Sequence, residues 1–186
     1  MKIEYLGHAC FRIDDSLVID PYKDESVPGL SALRVTGSRV ICSHEHADHS
    51  GRECVELVPG ECDFEITEVP SWHDDQQGKL RGPNTIFVIT SKSGEKLVHL
   101  GDLGHFPDDK QLAAISDADY LLIPVGGYYT IDAEMAVRIC EACRPKCIIP
   151  MHYRTASSGY PELATVDEFL KLCEEVGISD KVKGDV

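Results

Sequence analysis

Basic residues and long apolar runs are the features that this sequence has least of. Its 186 residues include 18 lysines and arginines against 32 aspartates and glutamates, a formal net charge of −14 at pH 7. Nucleic-acid polymers bind through clustered cationic side chains, so we expect no such partner. No apolar run approaches the ~20 residues needed to cross a bilayer, and no signal-peptide pattern opens the chain. We therefore expect a cytoplasmic protein without a membrane partner.

Disulfide bonds are a further expected absence, although the chain has eight cysteines. Disulfide frameworks are typical of short secreted chains, and most of these cysteines fall inside apolar segments. Cys140 and Cys143 fit the apolar stripe of a helix, while Pro145 separates them from Cys147 at the start of a strand. We therefore expect reduced thiols that pack as small core residues, rather than a metal site formed by this cluster.

The apolar pattern predicts one α/β domain over residues 1–186. The length suffices for one hydrophobic core, and no linker, low-complexity tract or short repeat interrupts the chain. Strands are predicted at 2–6, 10–14, 16–20, 39–42, 63–69, 84–90, 96–101, 120–124 and 147–150. Helices are predicted at 52–58, from Pro107, from about residue 132, and from a capping-box pattern at 165–168 up to Gly177.

The segment from Ser43 to Gly51 concentrates histidines and acids, with the sequence Ser-His-Glu-His-Ala-Asp-His-Ser-Gly. Burying such polar groups without hydrogen-bond partners or a metal would cost free energy. Imidazole nitrogens and carboxylate oxygens are good ligands for zinc, manganese or iron. A tight turn after a strand can aim His44 and His46 at one ion while Asp48 and His49 reach another. The segment therefore predicts a metal site.

Other polar residues stand at comparable places along the chain. His44, Asp102 and His152 each follow directly on an apolar, strand-like run. Polar ligands at strand ends can meet at one edge of a sheet, while the strands supply rigidity. We therefore expect these three side chains to converge.

The spacing of these residues resembles the metallo-β-lactamase superfamily. Residues 44–49 match its His-x-His-x-Asp-His signature, and further matches follow at His73, at Asp102 in a Gly-Asp turn, and at His152. Gly7-His8 and the segments 124–130 and 150–153 look like the small single-domain branch of metal-dependent hydrolases, which is similar to the ascorbate-phosphate lactonase group. The resemblance extends over nearly the whole chain.

The resemblance implies a four-layer αββα sandwich with two divalent metal ions at one edge. The implied ligands of the first ion are His44, His46 and His73. Those of the second are Asp48, His49 and His152, and Asp102 would bridge. Zinc is the favoured metal, with manganese or iron as alternatives because neither site has a thiolate. The implied reaction is hydrolysis of a small ester, lactone, amide or phosphodiester by a metal-bridged hydroxide, with Asp48 or Asp102 orienting the water or accepting its proton.

Residues around the expected ligands are candidates for substrate binding. These are His8, His105, Tyr128, Thr130 and Tyr153. His99 is different, because strand alternation directs it to the face opposite Asp102, and we expect a hydrogen-bonded core residue there.

Three alternatives to a small-molecule hydrolase would use the same fold. A di-iron redox enzyme typically has Glu in place of the second histidine and an added flavin domain, whereas position 46 is His and the chain is short. A nuclease of this superfamily usually adds a clamp domain, which a compact acidic chain lacks. A non-catalytic metal-binding module is the third alternative, and nothing in the ligand set favours it. We expect a small-molecule substrate.

Overall fold

The computed structural model describes residues 1–183, which contain eleven β-strands and three α-helices. The strands are β1 (Ile3–Gly7), β2 (Cys10–Ile13), β3 (Leu17–Ile19), β4 (Val35–Gly37), β5 (Arg39–Ile41), β6 (Val55–Leu57), β7 (Phe64–Trp72), β8 (Pro83–Ser91), β9 (Lys96–His99), β10 (Tyr120–Pro124) and β11 (Cys147–Met151). The α-helices are α1 (Asp109–Ile115), α2 (Ala133–Cys143) and α3 (Asp167–Glu175). None of these helices is long and apolar enough to cross a bilayer.

Two sheets contain most of the strands. The N-terminal sheet has the order β1-β2-β3-β5, in which only the β3–β5 pair is parallel. The C-terminal sheet has the order β11-β10-β9-β8-β7. In it, β9, β10 and β11 are parallel, whereas β7 and β8 form a long antiparallel hairpin. Parallel strands end at the same edge of a sheet, so the segments after β9, β10 and β11 emerge side by side.

The two sheets pack face to face, and helices cover the outer face of the C-terminal sheet. The buried apolar side chains between the sheets are Ala9, Phe11, Ile13, Leu17, Ile19, Ile41, Phe87, Ile89, Leu97, Leu122, Ile149 and Met151. Strand alternation turns neighbours such as Leu121 and Ile148 to the other face, where they meet Ile139 of α2 and Phe169 of α3. The α/β sandwich is therefore confirmed. Cys140 and Cys143 lie in this helical layer, and all eight cysteines are free.

The outer face of the N-terminal sheet is covered differently from the four-layer expectation. Within residues 1–183 no α-helix lies there; loop residues such as Tyr22 and Leu33 pack with Val55 against Val18. The predicted helix at 52–58 was wrong. Only a 3₁₀ turn forms, at Arg52–Cys54, before β6 pairs in parallel with β4. Val55 is β-branched, which favours a strand over a helix, and its side chain is buried where β6 pairs with β4.

Helix capping also differs from the sequence pattern. The capping box predicted at 165–168 does not form, because Thr165 Oγ1 donates to Asp167 Oδ2 at 2.8 Å instead of capping a backbone N–H. A capping box is found at α1, where Asp108 and Gln111 cap each other's backbone N–H groups.

Candidate metal centre

Four chain segments bring the candidate ligands to one edge of the sandwich. The turn 43–51 follows β5, His73 follows β7, Asp102 follows β9 and His152 follows β11. Asp102 and His152 leave parallel strands that are separated only by β10. Because each ligand stands at or near a strand end, the hydrogen-bonded sheets fix the positions of their Cα atoms.

A sharp turn places Asp102, and it requires glycine at position 101. Gly101 has a φ of +56°, and a Cβ there would overlap the Oδ1 of Asn84. The Gly101 N–H donates to Nδ1 of buried His99 at 3.0 Å, and Nε2 of His99 contacts the carbonyl oxygen of Ala9 at 3.0 Å. The prediction of a core role for His99 is therefore confirmed, and this side chain ties the turn to the N-terminal sheet.

The imidazoles converge on one carboxylate oxygen. Asp102 Oδ2 lies 3.1 Å from Nε2 of His73 and 3.1 Å from Nε2 of His152. It also lies 3.2 Å from Nε2 of His49 and 4.0 Å from Nε2 of His44. Four ring nitrogens around one carboxylate, all buried, form the densest concentration of ligand atoms at this edge.

The potential ligand atoms form overlapping groups whose members lie within 4.8 Å of one another. One group consists of His44, His46 and His73. Another consists of His8, Asp48, His49 and His152. Asp102 forms a third group with His44 and His49, so it lies between the first two. The structure thus brings together all seven residues expected as ligands, with His8 beside them.

Several of these buried atoms have no hydrogen-bond partner within residues 1–183. Four of them are Nε2 of His44, His49 and His152, and Oδ1 of Asp102; the Nδ1 atoms of His8, His73 and His152 are unpaired as well. An unsatisfied buried polar atom costs about 1–3 kcal/mol, so four at one place require a common partner. Imidazole nitrogen and carboxylate oxygen are ligands of zinc, manganese and iron. The donor set therefore fits divalent cations.

A buried aspartate that the sequence analysis missed orients two of these histidines. Asp20, fully buried after β3, lies 2.9 Å from Nδ1 of His49 and accepts from the Ser43 N–H and Oγ, both at 2.6 Å. Because the Ser43 hydroxyl donates to Asp20, it accepts from Nδ1 of His44 at 2.9 Å. Both imidazoles thus carry a proton on Nδ1, which leaves Nε2 as the ring atom that faces the site and is available to a metal. The only sequence signal for Asp20 is its place at a strand end.

Asn84 was also missed, and it fixes the backbone at Asp102. Its Oδ1 accepts from the Asp102 N–H at 2.9 Å. Its Nδ2 donates to the Leu100 carbonyl oxygen at 2.9 Å and to Ser71 Oγ at 2.8 Å. The side chain is buried on β8, so its amide links the strand before His73 to the strand before Asp102. Nothing in the local sequence distinguishes it from other polar strand residues.

His8 lies behind the second group of ligands. Its Nε2 is 3.1 Å from Asp48 Oδ2, and its ring centroid is 4.0 Å from that of His152. Burial lowers the pKa of His8 to about 4, so the ring is neutral at pH 7. Neutral His8 with its proton on Nε2 donates to the carboxylate and fixes the orientation of Asp48.

Burial and neighbouring charges set the protonation of the ligands. Burial lowers the pKa of His44 to about 3, so this ring is neutral at pH 7. Burial acts to raise the pKa of Asp102, but His152 and His49 hold it well below its usual range. Burial acts to lower the pKa of His49, but the Asp102 and Asp20 carboxylates hold it well above its usual value. A proton and a cation therefore compete for the space between His49 and Asp102.

A cavity of about 360 Å³ opens above the ligands. The residues that line it are His46, Asp48, His73, Arg81, Asp102, Tyr129, Tyr160 and His152. Arg81 and Tyr160 had no sequence signal, since each stands in a polar loop without a motif. Tyr129 follows the Gly126-Gly127 reversal in a loop that the sequence places near the ligands, and it lines the cavity.

The five predicted substrate-binding residues lie in three places. His8 lies behind the ligands, whereas His105, Tyr128 and Thr130 line a neighbouring hollow of about 310 Å³. Tyr153 packs against the apolar layer under the helices. Of the described residues that line the cavity above the ligands, none belongs to this set. Their role in binding substrate stays a prediction.

One buried carboxylate organises the loop that leads to Arg81. Asp74 accepts four backbone N–H groups, from Gln76, Gly78, Leu80 and Arg81, at 2.8 to 2.9 Å. Burial acts to raise the pKa of Asp74, but these four donors hold it at about 2. The carboxylate therefore stays ionised at pH 7 and keeps residues 74–82 wrapped around it.

The fold and the site together define a class: an α/β sandwich with a histidine-rich and carboxylate-rich metal centre at one edge of its paired sheets. Comparison with known proteins gives the family. Residues 2–152 match the model of the β-lactamase superfamily domain. The UPF0173 metal-dependent hydrolase of Carboxydothermus hydrogenoformans is 30% identical, covering 98% of this chain and 96% of that one. The chain therefore belongs to the β-lactamase superfamily, in its UPF0173 metal-dependent hydrolase family.

Solved structures agree with this placement. A Thermotoga maritima protein, proposed to be a Zn-dependent hydrolase of the metallo-β-lactamase superfamily, is 34% identical, with a TM-score of 0.67 over 91% of this chain and 84% of that one. Igni18, a metallo hydrolase from Ignicoccus hospitalis, has a TM-score of 0.74 over 98% of this chain and 93% of that one. Its 22% identity supports the fold alone.

Proposed function

We propose that the chain, as one domain over residues 1–186, is a binuclear metal-dependent hydrolase of a small ester, lactone, amide or phosphodiester. The observation that carries the proposal is the convergence of seven side chains with four buried ligand atoms unpaired. The proposed ligands are His44, His46, Asp48, His49, His73, Asp102 and His152. Family membership supports hydrolysis over a purely structural role for the metals.

Zinc is the proposed resident metal at both positions. The first group offers three imidazoles, which zinc prefers among its protein ligands. The second adds carboxylate oxygens, which zinc also accepts. The Thermotoga maritima relative is itself proposed to be Zn-dependent. Manganese or iron would fit the same donor types, so metal analysis is part of the test below.

When bound, the cations would supply Lewis-acid activation of a water molecule and of the substrate's carbonyl or phosphoryl oxygen. Asp48 and Asp102 are the proposed groups that orient the water and take up its proton. Asp48 lines the cavity, and His8 fixes it through the 3.1 Å contact. The rings of Tyr129 and Tyr160 wall the cavity, where they limit the access of bulk water to the reacting bond.

A small, soluble substrate fits the site best. The cavity of about 360 Å³ has the volume of roughly a dozen water molecules, which is far too little for a folded polymer. The net charge of −14 further opposes nucleic-acid polymers. Eight free cysteines support a reducing compartment, so a cytoplasmic location is part of this proposal.

Metal analysis joined to a substrate screen tests the proposal. The purified protein is expected to contain about two zinc equivalents and to hydrolyse at least one member of a panel of lactones, esters and phosphodiesters. Stripping the metal with a chelator should abolish turnover, and added zinc should restore it. Full turnover by the stripped protein would refute metal dependence.

A matched pair of variants in one turn separates metal loss from misfolding. His46 is an exposed ligand, so His46→Gln should lose about one metal equivalent while the protein stays folded. Glu45→Gln changes a neighbouring exposed side chain that pairs with Arg52 and should retain both metals. Equal metal content in the two variants would remove His46 from the ligand set.

A further inference from the structure

The cavity above the metal ligands contains one fixed cation, Arg81. Among the described residues that line the cavity, the charged side chains apart from histidines are this arginine and the carboxylates Asp48 and Asp102. Both carboxylates belong to the proposed metal ligands, and the cations that they would hold would balance their charge. Arg81 therefore leaves a positive charge that the cavity itself does not compensate.

Arg81 has no acidic partner among the described residues, and unlike Arg39, Arg138 and Arg154, which have none there either, it lines the cavity. Four others form ion pairs with carboxylates: Arg12, Arg34, Arg52 and Arg144. Within residues 1–183, the guanidinium of Arg81 forms no ion pair and donates only to the Tyr128 carbonyl oxygen, at 3.0 Å. The nearby Asp74 is not available, because four backbone N–H groups already occupy its carboxylate.

The guanidinium is held in place but has donors left. The backbone N–H of Arg81 donates to Asp74 at 2.8 Å. The guanidinium Cζ lies 5.8 Å from the ring centroid of Tyr129. A guanidinium has five N–H donors, and one contact to a carbonyl leaves most of them free. Such a planar, fixed group binds carboxylate or phosphate oxygens through two parallel hydrogen bonds.

We propose that Arg81 is the recognition residue for an anionic group on the substrate, a carboxylate or a phosphate monoester, whose scissile bond lies over the metal ligands. This proposal rests on the proposed hydrolase function and names its substrate class. The cavity volume limits the substrate to a small molecule, with the anion at the Arg81 end and the reacting group at the His46 and Asp48 end. Neutral analogues would bind more weakly because Arg81 would remain unpaired.

The first test measures anion binding without turnover. Inorganic phosphate and acetate are titrated by calorimetry into the zinc-loaded wild type, Arg81→Gln, Arg81→Lys and Arg39→Gln. Arg39 is an exposed arginine at the end of β5 away from the site, so its variant makes the same change in net charge. Arg81→Gln should weaken anion binding about 10- to 100-fold, because hydrogen bonds to charged groups are lost. The anion affinity of Arg81→Lys should lie between those of the wild type and Arg81→Gln, and that of Arg39→Gln should match the wild type.

The second test compares matched substrates. Each lactone or ester is prepared with a terminal carboxylate, with a phosphate monoester, or with a neutral hydroxyl. Arg81→Gln should lower kcat/KM about 10- to 100-fold for the charged members and by much less for the neutral member. The charged member with the larger loss shows which anion the site selects. An equal loss on all members would mean that Arg81 only tethers its loop to Tyr128, and the proposal would be overturned.

The two tests separate this proposal from the hydrolase function. Wild-type binding of phosphate and acetate by Arg81→Gln overturns the anion site, whatever the turnover. If metal-stripped wild type hydrolyses its substrate while Arg81→Gln still loses anion binding, the hydrolase mechanism fails and the anion site stands. If no panel member is hydrolysed, the calorimetric comparison alone decides. Equal melting temperatures of the variants before titration confirm that each is folded.

Discussion

Replacing Asp20 by asparagine should damage the metal centre without changing a proposed ligand. In the native protein Asp20 lies 2.9 Å from Nδ1 of His49 and accepts two hydrogen bonds from Ser43, both at 2.6 Å. An asparagine keeps one oxygen for the Ser43 N–H. Its NH₂ group then takes the place of the oxygen that accepted from the Ser43 hydroxyl and from His49, so donors would face donors.

The conflict is relieved when His49 moves its proton from Nδ1 to Nε2. The proton then occupies the atom that we propose to bind the metal, and the ligand lone pair is lost. Removal of such an orienting partner typically costs 10- to 100-fold in metal affinity. We therefore expect zinc to bind Asp20→Asn about 10- to 100-fold more weakly, or about 1.4 to 2.8 kcal/mol.

Competition with a zinc-binding dye measures the affinity, and ¹⁵N NMR of the imidazole reports which ring nitrogen of His49 is protonated. Asp15→Asn is the matched control, because Asp15 lies in the exposed β2–β3 turn with a φ of +54°, which asparagine tolerates. Wild-type zinc affinity in Asp20→Asn, with His49 still protonated on Nδ1, would refute the orienting role. A broad loss of native NMR signals would instead show unfolding.

Three further perturbations follow from the contacts around the site. Asn84→Ala removes the partners of Leu100, Ser71 and the Asp102 N–H, and should lower the free energy of unfolding by about 3 kcal/mol in urea titrations. Asp74→Ala frees four backbone N–H groups, so residues 74–82 should be cleaved faster in limited proteolysis. Chelation should lower the melting temperature, since zinc at 100 times its Kd stabilises the fold by about 2.7 kcal/mol.

Each of these has a specific control. Thr90 is also on β8 but near the far end of the strand, so Thr90→Ala should lower the free energy of unfolding much less than Asn84→Ala. Equal decreases in the two variants would contradict the role of the Asn84 amide. Asp75→Ala changes an exposed neighbour of Asp74 in the same loop, so equal cleavage of the two variants would contradict the wrapping role of Asp74. A melting temperature unaffected by chelation and by added zinc would contradict coupling of metal to folding.

The local sequence pattern was enough to predict a residue's structural role wherever that role depends on its neighbours in the chain. The segment from His44 to His49 predicted a metal site because its ligand types are dense and follow a strand. The alternation of β9 separated His99, which is a core residue, from Asp102 three positions later. The prediction failed at 52–58, where the partner strand β4 and the burial of Val55 outweigh a helical pattern. A contact with a distant strand is absent from local periodicity.

The sequence by itself determined the types of ligand, their order along the chain and the strands that carry them, because these depend on spacing and on periodicity. Only the tertiary structure brought Asp20 under His49 and Asn84 under Asp102, and turned Arg81 into the cavity. These contacts join residues far apart in sequence, and an isolated Asp, Asn or Arg at a strand end or in a loop has the same local pattern whether or not it faces a site. Packing of the two sheets decides which of them do.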